Sequence, residues 1–312
     1  MRTRISAGVA LCAAAIACAA AAGPAPKGQR PTLEGTWTAN FVLVMEAPDK
    51  TPDLVVSASQ AKLVAAAEEK AMSDFFSMAL DPEVPDLMAK VEGLPVVRGQ
   101  FRTRALVQPA GGKLPYTPAA RKEVDSTEAP PEVLDNPEQR PNGERCLVGL
   151  GQPPIASFNF ENVLQLIRTR DSVAIHTEYG DDLRVVPITD KHGPKALWGR
   201  MGDSIGRWEG DTLVVETVGQ PDDDRFRLAP FLIVSGEAIV VERFTPVSDR
   251  ELLYQFTVID PKVFTAPWMA EFSWYRTTRP MYEHACHEGN YSLPNILAGA
   301  RHEEAVRAAA GR

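Results

Sequence analysis

A short segment near the C-terminus, Met281-Tyr-Glu-His-Ala-Cys-His-Glu-Gly-Asn-Tyr291, concentrates side chains that can transfer protons or bind ligands. Histidines and carboxylates are frequent general acids and bases in enzymes. We therefore take His287 and Glu288 as candidate catalytic residues, with His284, Asn290 and Tyr291 as candidate substrate-binding residues. A structural alternative stays open, in which Glu288-Gly-Asn290 is only the turn that follows the last strand.

A second candidate pair lies on a predicted strand, Val173-Ala-Ile-His-Thr-Glu-Tyr179. On a strand, His176 and Glu178 share one face and lie about 7 Å apart, which suits a general base. Arg184 follows the Gly-Asp-Asp turn on the next strand, where a guanidinium can hold a carboxylate or an enolate oxygen. We expect His176 and Glu178 to be catalytic and Tyr179 and Arg184 to bind substrate. The alternative for each residue is a solvated position on an outer face.

Two further motifs favour structure over chemistry. In Arg207-Trp-Glu-Gly-Asp-Thr-Leu-Val-Val215, the Glu-Gly-Asp triplet predicts a hairpin turn, and Trp208 is a candidate cavity wall or substrate contact. The His284-Ala-Cys-His287 spacing does not match two ligands on one helix face, so we predict no metal site. The sequence has no hydrolase elbow, P-loop or dinucleotide fingerprint. It therefore predicts no cofactor.

The N-terminus has the pattern of a secretory signal. Arg2 and Arg4 precede an alanine-rich apolar run, and small residues end that run near Ala22. Cleavage there leaves 290 residues and moves the net charge from −8 to −10, because the segment carries two arginines and no acidic residue. The negative charge argues against nucleic acid and anionic membranes as partners. Lipid attachment at Cys18 is a minority alternative.

Cysteine usage agrees with export. After cleavage only Cys146 and Cys286 remain, and two lone cysteines in an oxidising compartment favour a disulfide. Closing such a long loop would stabilise the fold by roughly 5 kcal/mol. Free buried thiols and metal ligands are the less favoured alternatives.

Strand signals dominate the second half of the chain, at a spacing of roughly 10 residues. Before them, Gly35-Thr-Trp37 opens a short strand, and a capping box at Ser57–Gln60 begins a helix over residues 57–80. Residues 81–155 are rich in proline and glycine and predict a long surface connection with one or two short strands, such as residues 96–107. The predicted strands cover residues 163–168, 173–179, 183–188, 207–208, 212–218, 238–245, 251–259, 269–275 and 281–286.

Charged side chains interrupt several of these otherwise apolar strands. We interpret the set as the lining of a partly polar barrel cavity, although a solvated outer face is the simpler explanation for any one residue. The set comprises His176, Glu178, Arg184, Glu216, Glu242, Arg243, Glu271 and His284.

Two long stretches, residues 202–217 and 282–301, resemble signatures of a large, mostly uncharacterised group of secreted bacterial proteins. The resemblance covers roughly residues 110–305. It implies lipocalin-like β architecture and no particular activity. In the segment Glu178–Arg184, Asp181 stands where related sequences tend to have a histidine.

Together these features predict a mainly β protein, an antiparallel lipocalin-like β-barrel with a helical, loop-rich N-terminal elaboration. The expected organisation is a signal peptide over 1–22, a linker over 23–32, one domain over 33–305 with an insertion over 57–155, and a tail over 306–312. We expect a periplasmic or secreted, cofactor-independent lyase, isomerase or hydrolase acting on a small, partly apolar molecule. The alternatives are a carrier without catalysis, and a structural module whose barrel is filled by side chains.

Overall fold

A nearly closed ring of strands forms the body of the protein. The computed structural model describes residues 32–42, 44–48, 50–51, 53–79, 93–125, 135–140, 142–155, 162–222, 226–227 and 232–311. The predicted signal peptide lies outside these residues. The main sheet contains β1 (Gly35–Ala39), β5 (Leu106–Gln108), β6 (Asn162–Arg168), β7 (Ser172–Thr177), β8 (Asp182–Pro187), β9 (Asp203–Glu209), β10 (Thr212–Val218), β13 (Ile239–Pro246), β14 (Glu251–Ile259) and β15 (Trp268–Arg276).

Neighbouring strands of this sheet pair in the order β8-β7-β6-β1-β15-β14-β13-β10-β9, with β5 added beside β15. Each of these pairings is antiparallel, and the two ends of the series meet at one bridge between Ile188 and Gly206. The predicted mainly β class and antiparallel barrel are confirmed.

Period-2 burial along the strands directs one set of side chains into the barrel. Along β13, for example, Val240, Glu242 and Phe244 are buried while the residues between them are partly exposed. Aromatic rings occupy much of the interior, and their contacts hold β13, β14 and β15 together. The largest of these buried rings belong to Trp37, Trp268, Trp274, Tyr254, Phe244 and Phe272.

The N-terminal elaboration adds a helix and a small sheet, and its β5 joins the main sheet. The predicted capping box is present: the Ser57 N–H donates to the Gln60 side chain at 3.1 Å, and α1 (Ala58–Ala79) follows. A small sheet contains β2 (Val55–Val56), β3 (Val96–Val97) and β4 (Gln100–Arg102). The long connection also contains α2 (Pro118–Asp125), which the sequence did not predict. β11 (Phe226–Arg227) and β12 (Leu232–Ile233) form a separate short hairpin.

The predicted strand over residues 281–286 is wrong. Residues 277–285 have no regular structure, and they lead into α3 (Cys286–Gly289) and α4 (Ser292–Ala309), which runs into the predicted tail. The physical reason is that β15 pairs with β14 on one edge and with β1 and β5 on the other, so it has no free edge for another strand. Among the described residues, no helix is long and apolar enough to span a membrane.

Candidate functional site

The junction of β8 and β9, which we call the seam, is where the ring fails to close completely. The two strands run parallel, and at the Ile188–Gly206 bridge the Thr189 N–H donates to the Gly206 carbonyl at 3.1 Å. Towards their N-terminal ends, the described residues of β8 and β9 form no further bridge. An open cleft of about 620 Å³ lies there. Its lining includes Leu183 and Val185 together with Asp182, Arg184 and Ser204.

Arg184 extends from the cleft into the barrel interior and pairs with Glu242 on β13. Its Nη2 lies 3.0 Å from Glu242 Oε1, its Nη1 lies 2.5 Å from Oε2, and both side chains are at most 5% exposed. Burial works against the charged guanidinium, but the Glu242 carboxylate outweighs it and raises the Arg184 pKa. Arg184 therefore stays charged inside the barrel.

Hydrogen bonds extend this ion pair across the interior. The Tyr254 hydroxyl donates to Glu242 Oε1 at 2.8 Å and accepts the Ile155 N–H at 2.7 Å. Burial, followed by the nearby Glu242 charge, raises the Tyr254 pKa well above its ordinary value. On the seam side, Ser204 and Thr217 share a 2.8 Å bond between their hydroxyls. Arg184 Nη1 donates to Thr217 Oγ1 at 3.4 Å, so the polar chain runs from Ser204 at the cleft to Tyr254 on β14.

Three carboxyl groups line the cleft, those of Asp181, Asp182 and Asp203, and Asp182 is the buried one. It is 7% exposed, and its Oδ2 accepts the N–H groups of Gly149 at 2.8 Å and Gly151 at 2.9 Å. Burial raises the Asp182 pKa, although these two bonds and the Arg184 charge oppose the shift. A carboxyl with a raised pKa in a cleft is suited to exchange a proton with a ligand.

A loop over residues 189–202 forms one rim of the cleft. His192 anchors it, with Nδ1 2.7 Å from Asp203 Oδ2 and Nε2 3.3 Å from Glu216 Oε1. The clamp holds the loop to the first residue of β9 and to β10.

The expected His176–Glu178 pair does not form inside the barrel. His176 alternates with the buried residues of β7 and therefore faces outward, where its Nε2 lies 2.7 Å from Asp181 Oδ1. Glu178 lies beyond the end of β7 and accepts two bonds from Arg279 Nη1 and one from the Tyr282 N–H. The sequence predicted the strand correctly. It also predicted that the face of the strand with His176 points into the barrel, whereas that face points outward.

The C-terminal motif holds the chain in place. Cys146 and Cys286 form the predicted disulfide. The Asn290 amide donates to the Glu144 carbonyl at 2.7 Å, and its oxygen accepts the Leu293 N–H at the start of α4. These contacts tie α3 and α4 to the loop that contains Cys146.

The remaining candidates in this motif lie away from the seam cleft. His284 stacks on Tyr179 with ring centroids 4.4 Å apart, and burial raises the Tyr179 pKa. His287, Glu288 and Tyr291 are exposed on or beside α3. The expected second acid–base pair is therefore not part of the cleft.

Trp208 belongs to a hairpin, as the sequence favoured. The turn Gly210–Asp211 connects β9 to β10 and pairs Glu209 with Thr212. The guanidinium of Arg168 lies over the Trp208 ring, 4.2 Å from its centroid. Trp208 packs against the core and is not among the residues that line the cleft.

Of the predicted site residues, Arg184 alone lines the cleft. Sequence reasoning did not assign Asp182, Ser204 or Tyr254 to a site. Glu242 was visible in the sequence as an unusual residue, because a charged side chain stands where the alternation of β13 predicts an apolar one, between Val240 and Phe244.

No protein-family model matches this chain, and no curated protein shows significant similarity to it.

Proposed function

We propose that this chain is an exported protein that binds a small, partly apolar molecule in the seam cleft. The observation that carries the proposal is the composition of the cleft. Leu183 and Val185 expose apolar side chains at its rim, 55% and 58% exposed, while Asp182, Arg184 and Ser204 supply polar groups at its floor. The rest of the lining includes Asp181, Arg200 and Asp203, so the cleft is more polar than apolar, and its ligand would be held mainly by polar contacts beside this apolar rim.

Export is supported by two independent features. The first is the signal-like N-terminal sequence, and the second is the Cys146–Cys286 disulfide, since such bonds persist in oxidising compartments. Membership of the secreted bacterial group with the two signature stretches is part of the same proposal. It rests on the resemblance of residues 202–217 and 282–301.

A second function, acid–base catalysis without a cofactor, is favoured by Asp182. Its raised pKa and its place in the cleft suit a general acid or base of a lyase, isomerase or hydrolase. In this variant of the proposal, Asp182 replaces the histidine–carboxylate pairs predicted from the sequence. If Asp182 exchanges no proton with the ligand, the same residues only bind the ligand, and the protein is a carrier.

Native mass spectrometry of the protein recovered from its own host tests the binding proposal. We expect a small molecule to accompany the wild type and to be lost from the double variant Leu183→Lys/Val185→Lys. Ile167→Lys is the matched control, because Ile167 is also an exposed apolar strand residue but lies on β6. Equal occupancy in all three proteins, or none in the wild type, contradicts the proposal.

Incubation of the identified compound with the protein separates a catalyst from a carrier. A catalyst converts the compound, and Asp182→Asn abolishes turnover while binding persists. A carrier returns the compound unchanged from both proteins.

A further inference from the structure

The seam is the one place in the described main sheet where two neighbouring strands run parallel. Following the order of the sheet, nine strands alternate in direction from β8 to β9, and an odd number leaves the first and last pointing the same way. A segment inserted antiparallel to both would restore strict alternation. Parallel neighbours are also slightly less stable per residue than antiparallel ones.

Backbone groups on both sides of the seam point towards this gap. The Thr189 N–H crosses the seam to Gly206, whereas the Ile188 N–H donates to Asp171 on the β7 side at 2.8 Å. Because peptide groups alternate in direction along a strand, those of Val185 and Leu183 share the direction of Thr189. By the same rule, the peptide groups of Ser204 and Gly206 on β9 face the seam.

From these observations we infer that the ligand is a short extended peptide that pairs as an extra strand between β8 and β9. This inference rests on the proposed function and names the class of its ligand. Strand addition supplies main-chain hydrogen bonds for affinity and side-chain pockets at alternate positions for selectivity. A peptide offers donors and acceptors at the repeat that the two strand edges present, which a compact small molecule does not.

The boundaries of the cleft limit the length of the peptide. The Ile188–Gly206 bridge closes one end, and the Gly199–Gly202 turn lines the cleft beside the first residues of β9. β8 has six residues, which span about 17 Å at a rise of about 3.3 Å per residue. The site therefore fits a free peptide of about three to five residues and not the middle of a long chain.

Side-chain preferences follow from the two faces of the seam. A peptide side chain that points inward meets Asp182, Arg184 and Ser204, so polar groups are favoured there. One that points outward lies between Leu183 and its neighbour Val185, so apolar groups are favoured. The expected pattern alternates apolar and polar residues.

An equimolar pool of three- to five-residue peptides tests the inference, with Val or Leu alternating with Ser, Asn, Asp or Lys. We expect the wild type and Ile167→Lys to retain peptides in native mass spectrometry, and Leu183→Lys/Val185→Lys to retain fewer than a tenth as many. Near-ultraviolet circular dichroism checks that the variants fold. N-methylation of one backbone amide in the best peptide should weaken binding at least tenfold.

Amide hydrogen exchange gives the decisive readout. Pairing should slow exchange of the Leu183 and Val185 amides at least tenfold, with no such change at Ile167. The inference is overturned if the pool is not retained, if the double variant retains it equally, or if these amides do not slow. A non-peptide compound that depends on the cleft overturns the inference alone, whereas failure of both experiments overturns the proposed function as well.

Discussion

Breaking the buried ion pair between Arg184 and Glu242 should destabilise the protein more than removing both charges. Glu242→Gln leaves the Arg184 guanidinium without its counter-ion, and Arg184→Met leaves the Glu242 carboxylate, in surroundings where these side chains are at most 5% exposed. Removing one partner of such a pair costs about 3–5 kcal/mol, because an uncompensated charge remains buried. We expect each single variant to lose that much free energy of unfolding.

The double variant Arg184→Met/Glu242→Gln serves as the control for this reasoning. The glutamine oxygen can still accept the Tyr254 hydroxyl, so the network loses its charges but keeps that bond. We expect the double variant to unfold within about 2 kcal/mol of the wild type, since replacing a whole buried pair is often nearly neutral.

Urea unfolding followed by tryptophan fluorescence measures all four proteins, because Trp37, Trp268 and Trp274 are buried in the barrel. Thermal unfolding should show the single variants melting about 10 °C lower, at a few degrees per kcal/mol. Additive losses in the double variant, or single-variant losses below about 1 kcal/mol, would refute the claim that Arg184 and Glu242 neutralise each other inside the barrel.

Three further predictions concern the disulfide, the cleft and the C-terminal motif. Replacing Cys146 and Cys286 together by serine should lower the free energy of unfolding by up to about 5 kcal/mol, given 140 residues between them, and unchanged urea unfolding would contradict this. The Asp182 pKa is raised, so its stabilising contribution is complete below its ordinary value of 3.8 and is lost as pH rises through the folded value. Asp182→Asn should therefore become more stable relative to the wild type between pH 3.5 and pH 7, and the reverse trend in urea unfolding would argue against a raised pKa. Glu178→Gln should lower the free energy of unfolding by about 1–3 kcal/mol, because it weakens the contacts to Arg279 and the Tyr282 N–H. It should also speed proteolysis after residue 276. The control His287→Ala should change the free energy of unfolding by less than about 0.5 kcal/mol.

Local sequence signals were reliable where the structure is local. The capping box at Ser57 begins a helix, and the turn Gly210–Asp211 forms a hairpin, because both depend on residues only a few positions apart. The strand over residues 281–286 failed for a non-local reason. The preceding strand, β15, has β14 on one edge and is covered on the other by β1 and β5, which lie far away in sequence.

The site shows the same division. The alternation in β7 shows which residues share a face with His176, but not whether that face points into or out of the barrel. The direction depends on how the ring of strands curves. Glu242 was visible as a charge between apolar residues, yet its partner Arg184 lies 58 positions earlier in the chain. Asp182 and Ser204 carried no local signal, because only the seam brings them to one cleft.

The amino-acid sequence by itself determined the mainly β class, most strand positions and the pairing of the only two cysteines outside the signal-like segment. Those properties follow from period-2 patterning, turn chemistry and the number of available thiols. Only the tertiary structure decided that the ring ends in a parallel seam, that Arg184 meets Glu242, and that the cleft lies between β8 and β9. These depend on strand order and curvature around the whole barrel, which no short window of sequence encodes.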